Sequence, residues 1–203
     1  MTPPPLLIEP HYLPTLACFK KIYQTEALRL AVCHRYQKKT FQNRCYLATT
    51  QGLQRLTIPV QHHTTRGSYA DVKIDYDMPW PLKHIRAIQT AYGKMPYHGP
   101  LADLLFPIYL RKPTFLIDLT LPIIEACCTF LQLDKQVSHT KAHPLQTTVD
   151  VVDLRGHFTP QKAVGSEVYS LNSPNLSVLH LLATQGCYAH DYLAAPFSED
   201  ALD

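Results

Sequence analysis

The densest polar cluster in the chain is Tyr36-Gln37-Lys38-Lys39-Thr40-Phe41-Gln42-Asn43-Arg44. Lys38 offers a mobile point charge, Arg44 a bidentate donor fork and Asn43 an amide beside it, a set suited to a phosphate or a carboxylate. In strand geometry from Thr40, Gln42 and Arg44 point to one face and Phe41 and Asn43 to the other. A solvated hairpin with a surface charge run explains the same residues without a ligand. His11 and Tyr12 lie between Pro10 and Pro14, just past a short apolar run. Such a turn holds side chains where ligands gather beyond strand ends, and it serves equally as a rigid packing turn. His84 falls on one helical stripe with Trp80, Ile88, Ala91 and Met95, so its imidazole is expected inside and needs a partner there. His11 and His84 are therefore the candidate groups for moving a proton. His62 and His63, adjacent in an extended chain, project apart and make a poor metal site.

The rest of the sequence narrows the chemistry mainly by exclusion. GxGxxG, GxxxxGK[ST], GxSxG and HExxH motifs do not occur, nor does a paired-cysteine zinc pattern, so no cofactor and no metal are expected. The 203 residues include 46% hydrophobic and 17% charged side chains, enough for a core and too apolar for disorder. A formal charge of +3 is far from that of a dedicated nucleic-acid binder. Cys18, Cys33, Cys45, Cys127, Cys128 and Cys187 form no CxxC pair and sit largely in apolar runs, which suits buried, reduced thiols and a cytoplasmic location. Met1 to Pro5 has no secretory pattern. The run Phe115–Leu131 contains Asp118, Pro122 and Glu125, so it reads as a buried helix and no membrane span is expected.

Positioning these residues falls to short elements, because Pro 17 against Gly 7 breaks the chain often. Leu6–Ile8 reads as a strand, and a helix carrying Leu16, Phe19 and Tyr23 follows with Pro14 in its first turn. Leu28–Cys33, Phe41–Leu47, Leu53–Val60 and Asp71–Asp75 read as strands, the middle two as a hairpin around Gly52. Helices are expected from Trp80, from Pro100 to Ile108, and over Phe115–Leu131 with a kink or restart at Pro122. Asp134–Val149, with His139 and His143, is the expected mobile connection, followed by a strand within Val149–Leu154. A helix capped by Ser173-Pro174 and ended at Gly186 closes the pattern. The order implies an α/β or α+β fold, a mixed sheet of short strands with packed helices and a C-terminal helical extension. Its expected division is a core over 1–133 and a linker plus C-terminal section over 134–203; repeated βαβ units are not evident.

Tyr12-Leu13-Pro14, Tyr36-Gln37-Lys38, Phe41-Gln42-Asn43-Arg44, Ile58-Pro59-Val60, Trp80 with His84 and Arg86, Tyr92-Gly93-Lys94-Met95-Pro96-Tyr97, Leu116-Ile117-Asp118-Leu119 and Pro174-Asn175-Leu176-Ser177 resemble, in order and spacing, the WbqC-like protein family. Asp153-Leu154-Arg155 through Pro160 is similar to the form found in Bacteroidetes-type bacteria. The resemblance implies a cytoplasmic bacterial protein of surface-polysaccharide (O-antigen) assembly, a transferase acting on a small anionic or sugar-nucleotide ligand. It adds Tyr12, Trp80 and Arg86 to Lys38, Asn43 and Arg44 as substrate-binding candidates, and Tyr12, Lys38, Asn43, Arg44 and His84 are expected to meet in one pocket. The chain departs from the family where Ile8-Glu9-Pro10-His11 replaces His-Gln-Pro-Asn and where Val32-Cys33 replaces paired aspartates. Those departures support the alternative, a non-catalytic ligand-binding or scaffold protein that has lost the acids.

Overall fold

Leu6–Ile8 (β1) is buried on both faces, as a strand flanked by parallel neighbours must be. The computed structural model describes residues 5–139, 151–158, 173 and 175–195. β1 pairs in parallel with Ala27–Leu30 (β2) on one side and Val152–Asp153 (β6) on the other, and Gln136–His139 (β5) adds in parallel to β2. The sheet order is β5-β2-β1-β6. Leu16–Gln24 (α1) makes the crossover from β1 to β2: Thr15 caps it by accepting from the Cys18 amide, and Leu16, Cys18, Phe19 and Ile22 are buried. At its other end the Lys135 ammonium donates to the carbonyls of Tyr23 and Thr25, closing the C-terminal turn.

Arg44–Thr49 (β3) and Gly52–Thr57 (β4) form a separate antiparallel hairpin, in register from Arg44 opposite Thr57 to Thr49 opposite Gly52. Trp80–Tyr92 (α2), His98–Leu110 (α3) and Ile117–Phe130 (α4) pack in sequence, and Val178–Gln185 (α5) and Ala189–Ala194 (α6) lie against α1 and α3. Leu119, Ile123, Ile124 and Cys127 of α4 and Leu179, Leu181 and Leu182 of α5 are all buried in one core with β1.

The α/β class with short strands, packed helices and a C-terminal helical region is what the structure has. Several local expectations need correction. The β1–α1–β2 unit is a parallel crossover that periodicity did not reveal, because strands of three and four residues leave no alternation to read. Asp134–Val149 is not wholly a connection: Gln136–His139 is β5, and residues 140–149, with His143, lie outside the described residues. Asp71–Asp75 forms only isolated bridges, Val60 with Ile74 and Lys73 with Phe115. The stripe Trp80, His84 and Ile88 is buried, but α2 ends at Tyr92, so Met95 is beyond it. α4 runs through Pro122 unbroken; only the carbonyl of exposed Asp118 loses its donor. The last long helix is capped by Ser177, whose Oγ accepts from the Leu179 amide, rather than by Ser173. The six cysteines are free thiols; Cys187 is exposed, against expectation. No helix among the described residues is long and apolar enough to cross a membrane.

Gly186 ends α5 at φ +55°, where a side chain is strained, and an added methyl would overlap the Tyr97 ring. Gly186→Ala is expected to lower stability by about 2 kcal/mol or more, read as a shift of the urea midpoint at unchanged slope.

Candidate functional site

The prolines around His11 and Tyr12 fix a turn that sends two neighbouring side chains to different places. Tyr12 enters the core: its hydroxyl lies 2.8 Å from both His84 Nδ1 and the Tyr109 hydroxyl. Burial holds the His84 ring neutral, its pKa lowered to about 4, with an opposing hydrogen bond to the Thr57 carbonyl. The Tyr12 hydroxyl donates to the Tyr109 hydroxyl and shares a second hydrogen bond with His84 Nδ1. Trp80 closes the cluster, its ring centroid 5.0 Å from that of His84 and its Nε1 donating to the Asp75 carbonyl at 3.0 Å. The cluster is sealed from solvent, with Tyr12 at 0% and His84 at 5% exposure.

The other candidates stand elsewhere. Arg44 is one residue before Cys45, whose thiol faces Tyr12 and Tyr109, so the guanidinium is on the opposite face of β3, beside Tyr36. Asn43 is buried, its amide donating to the Ile58 carbonyl at 2.9 Å. Lys38 is exposed and donates to His62 Nε2 at 3.1 Å. Arg86 is exposed on the outer side of α2, away from His84. Of Tyr12, Lys38, Asn43, Arg44 and His84, expected to share one pocket, the structure brings Tyr12 and His84 together, with Trp80 beside them; Lys38, Asn43 and Arg44 make their contacts elsewhere, and so does Arg86.

His11 turns the other way. Its ring lies 5.5 Å from that of Phe41 and 6.0 Å edge-on from that of Phe158, and it is 2% exposed. Burial lowers its pKa to about 4, and Nδ1 has no hydrogen-bond partner among the described residues. Among the described residues four further buried polar atoms without partners belong to Asn43, Arg44, His98 and His180. His11 lines a void of about 10 Å³, room for a single water-sized group, with Gln42 and Phe158 among its walls. Glu9, Gln37 and Gly156 belong both to that void and to an open cleft of about 540 Å³ that also includes His34, Arg35, Asp153 and Arg155.

This cleft is where the topology puts one. The chain leaves β1 toward β2 on one side and comes back as β6 on the other, so the connections beyond the carboxyl ends of β1 and β6 diverge and leave a crevice. Two protein contacts wire it. The Gly156 amide donates to Glu9 Oε2 at 2.9 Å, tying the β6 exit to the β1 exit. Arg155 Nε donates to both Asp153 oxygens, at 2.8 and 2.9 Å, while its NH1 reaches the His34 ring. These hydrogen bonds hold the Asp153 carboxyl below its usual range. Arg35 is exposed and in no ion pair among the described residues. Sequence reasoning missed Glu9, His34, Arg35, Gln37 and Gly156; their signal was position, just beyond strands too short to be recognised as a sheet. Among the described residues no three His, Cys, Asp or Glu side chains cluster as a metal site would require.

The α/β fold thus carries an open crevice of about 540 Å³ with charged walls beyond the carboxyl ends of its parallel strands. The chain belongs to the WbqC-like protein family, whose model matches residues 9–170. It is similar to the uncharacterized protein Rv1507c of Mycobacterium tuberculosis (strain ATCC 25618 / H37Rv), 27% identical over 140 residues. The match covers 66% of this chain and 58% of that protein, so the chain spans less than two thirds of the relative's length. No solved structure matches the chain.

Two outcomes follow from the buried rings. Above pH 6.5 His11 and His84 are neutral folded or unfolded, so they give stability no pH dependence. Below it the unfolded chain binds protons that the folded rings take up only near pH 4, so stability falls between those values and levels off beneath them. Each ring accounts for a loss of about 3 kcal/mol when fully expressed, and His180, also lowered by burial, adds in the same sense. Urea unfolding at pH 7, 6 and 5 measures the slope, which His84→Gln should make shallower. Tyr12→Phe leaves His84 Nδ1 and the Tyr109 hydroxyl buried without their partner, and is expected to cost about 2 kcal/mol or more by the same measurement.

Proposed function

We propose that the protein is a cytoplasmic small-molecule transferase of surface-polysaccharide or nucleotide-sugar metabolism, binding an anionic or sugar-nucleotide ligand in the crevice beyond β1 and β6. The observation that carries the reading is the crevice itself, open, ligand-sized and charged, with the buried His11 beneath it. His11 is the proton-moving group. Its ring is neutral at pH 7 and with a pKa of about 4 a weak base, and an anionic ligand beside it raises that value toward the working range. Arg35 and Gln37 take the ligand's acceptor oxygens; catalysis rests mainly on holding two substrates together. His84, hydrogen-bonded to Tyr12 and Thr57, is a positioning residue that sets the turn.

One observation favours a second reading, a ligand-binding or scaffold protein without turnover. Both crevice carboxylates are already engaged, Glu9 by the Gly156 amide and Asp153 by Arg155, so neither is free to serve as an acid–base partner for His11.

A melting-temperature screen against nucleotide sugars, acyl donors and amino acids finds the ligand, and mass spectrometry of paired substrates then detects a transferred group. The transferase reading expects His11→Gln to keep the ligand-induced shift and to lose turnover by about 100-fold. A clear melting shift with no product from any donor and acceptor pair would leave the binding-protein reading in its place.

A further inference from the structure

The net charge of +3 conceals a strong internal asymmetry. From Ala27 to Ala70 there is no acidic residue, although the chain's 16 acids in 203 residues would place about three there, and seven cations occupy the same stretch. In the remainder, acids outnumber Lys and Arg by 16 to 12.

The fold gathers four of the five exposed cations, leaving Arg55 on β4. Arg35, Lys38 and Lys39 lie on the connection after β2, and His62, His63 and Arg66 on the 3-10 turn after β4. The two segments are stitched by the Tyr69 amide donating to the His34 carbonyl at 2.8 Å, the Tyr36 amide donating to the Gly67 carbonyl at 3.3 Å, and Lys38 donating to His62. All six side chains are exposed. Among the described residues the one ion pair joins Asp153 and Arg155, so Arg35, Lys39 and Arg66 form none there; the acid next along the chain, the exposed Asp71, is hydrogen-bonded to Ser68. Same-sign side chains held together repel, and a surface that serves solubility alone intersperses both signs. Arg35 belongs to the crevice as well, which makes this rim continuous with it.

We propose that the rim is a polyphosphate-binding surface: the ligand carries at least two phosphates, as a nucleoside diphosphate or its sugar conjugate does, and they lie across Lys38, Lys39 and Arg66 with Arg35 at the crevice mouth. A chain of two phosphates has enough acceptors to engage both segments at once, which a single carboxylate has not. A nucleic-acid strand fits less well, because the basic run is confined to this rim and the rest of the chain carries 16 acids against 12 Lys and Arg. The proposal deepens the transferase reading and rests on it only for what the ligand carries besides its phosphates.

Calorimetric titration of the full chain with inorganic pyrophosphate, inorganic phosphate and a single-stranded oligonucleotide tests it. Pyrophosphate should bind more tightly than phosphate, and a Lys38→Ala/Lys39→Ala variant should weaken pyrophosphate by about tenfold or more, while Lys83→Ala/Lys94→Ala, on exposed positions outside the rim, should not. Pyrophosphate has no group to transfer, so this result stands whether or not the protein proves to be a transferase. Equal pyrophosphate affinity in the rim variant and the parent would overturn the proposal. So would an oligonucleotide that binds more tightly than pyrophosphate and is lost in the same variant, since the rim would then be a nucleic-acid surface.

Discussion

The hydroxyl of Tyr12 is the point on which the rest of the structure depends. Through it the turn after β1 is bonded to α3 at Tyr109 and to α2 at His84, and through the His84 ring to the carbonyl of Thr57 at the end of the hairpin. Four segments far apart in sequence are held by three hydrogen bonds in a place water does not reach, where each bond is costly to leave unmade. The Tyr12 amide donating to the Phe41 carbonyl at 2.9 Å adds the polar loop to the same node. With the turn fixed in this way, His11 has one direction left, toward the crevice.

That division of labour explains why the crevice is charged yet rigid. Its carboxylates and one of its arginines are spent on joining the exits of β1, β2 and β6, through Glu9 with Gly156 and Asp153 with Arg155 and His34. Arg35 is the side chain these bonds leave over. A crevice wired in this way has its walls tied together by protein contacts alone, so the ligand proposed for it would meet little ordering cost.

How much of this the sequence disclosed follows from the length of each element. The helices were legible because nine to fourteen residues are enough for a period to show, as with Leu16, Phe19 and Tyr23 or Trp80, His84 and Ile88. His84 was recognised as a buried imidazole in need of a partner for the same reason, and Tyr12 is that partner. The parallel sheet was not legible as such: strands of two to four residues carry no alternation, and their pairing is decided by partners more than a hundred residues away. The crevice residues went unseen with it, since Glu9, Arg35 and Gln37 are unremarkable until the strands beside them are known to be neighbours. Arg44 misled because a fork beside Asn43 reads as an anion site, whereas strand alternation turns it from the Tyr12 side to Tyr36.

The sheet also has a history imposed by its order. Leu6 and Leu7 of β1 complete their pairing only with Val152 and Asp153, and β2 waits for Gln136 to His139. During synthesis the first βαβ unit leaves the ribosome with both sheet edges bare until more than a hundred further residues have emerged. Pairings this distant in sequence close late and lengthen the interval in which bare strand edges are open to aggregation.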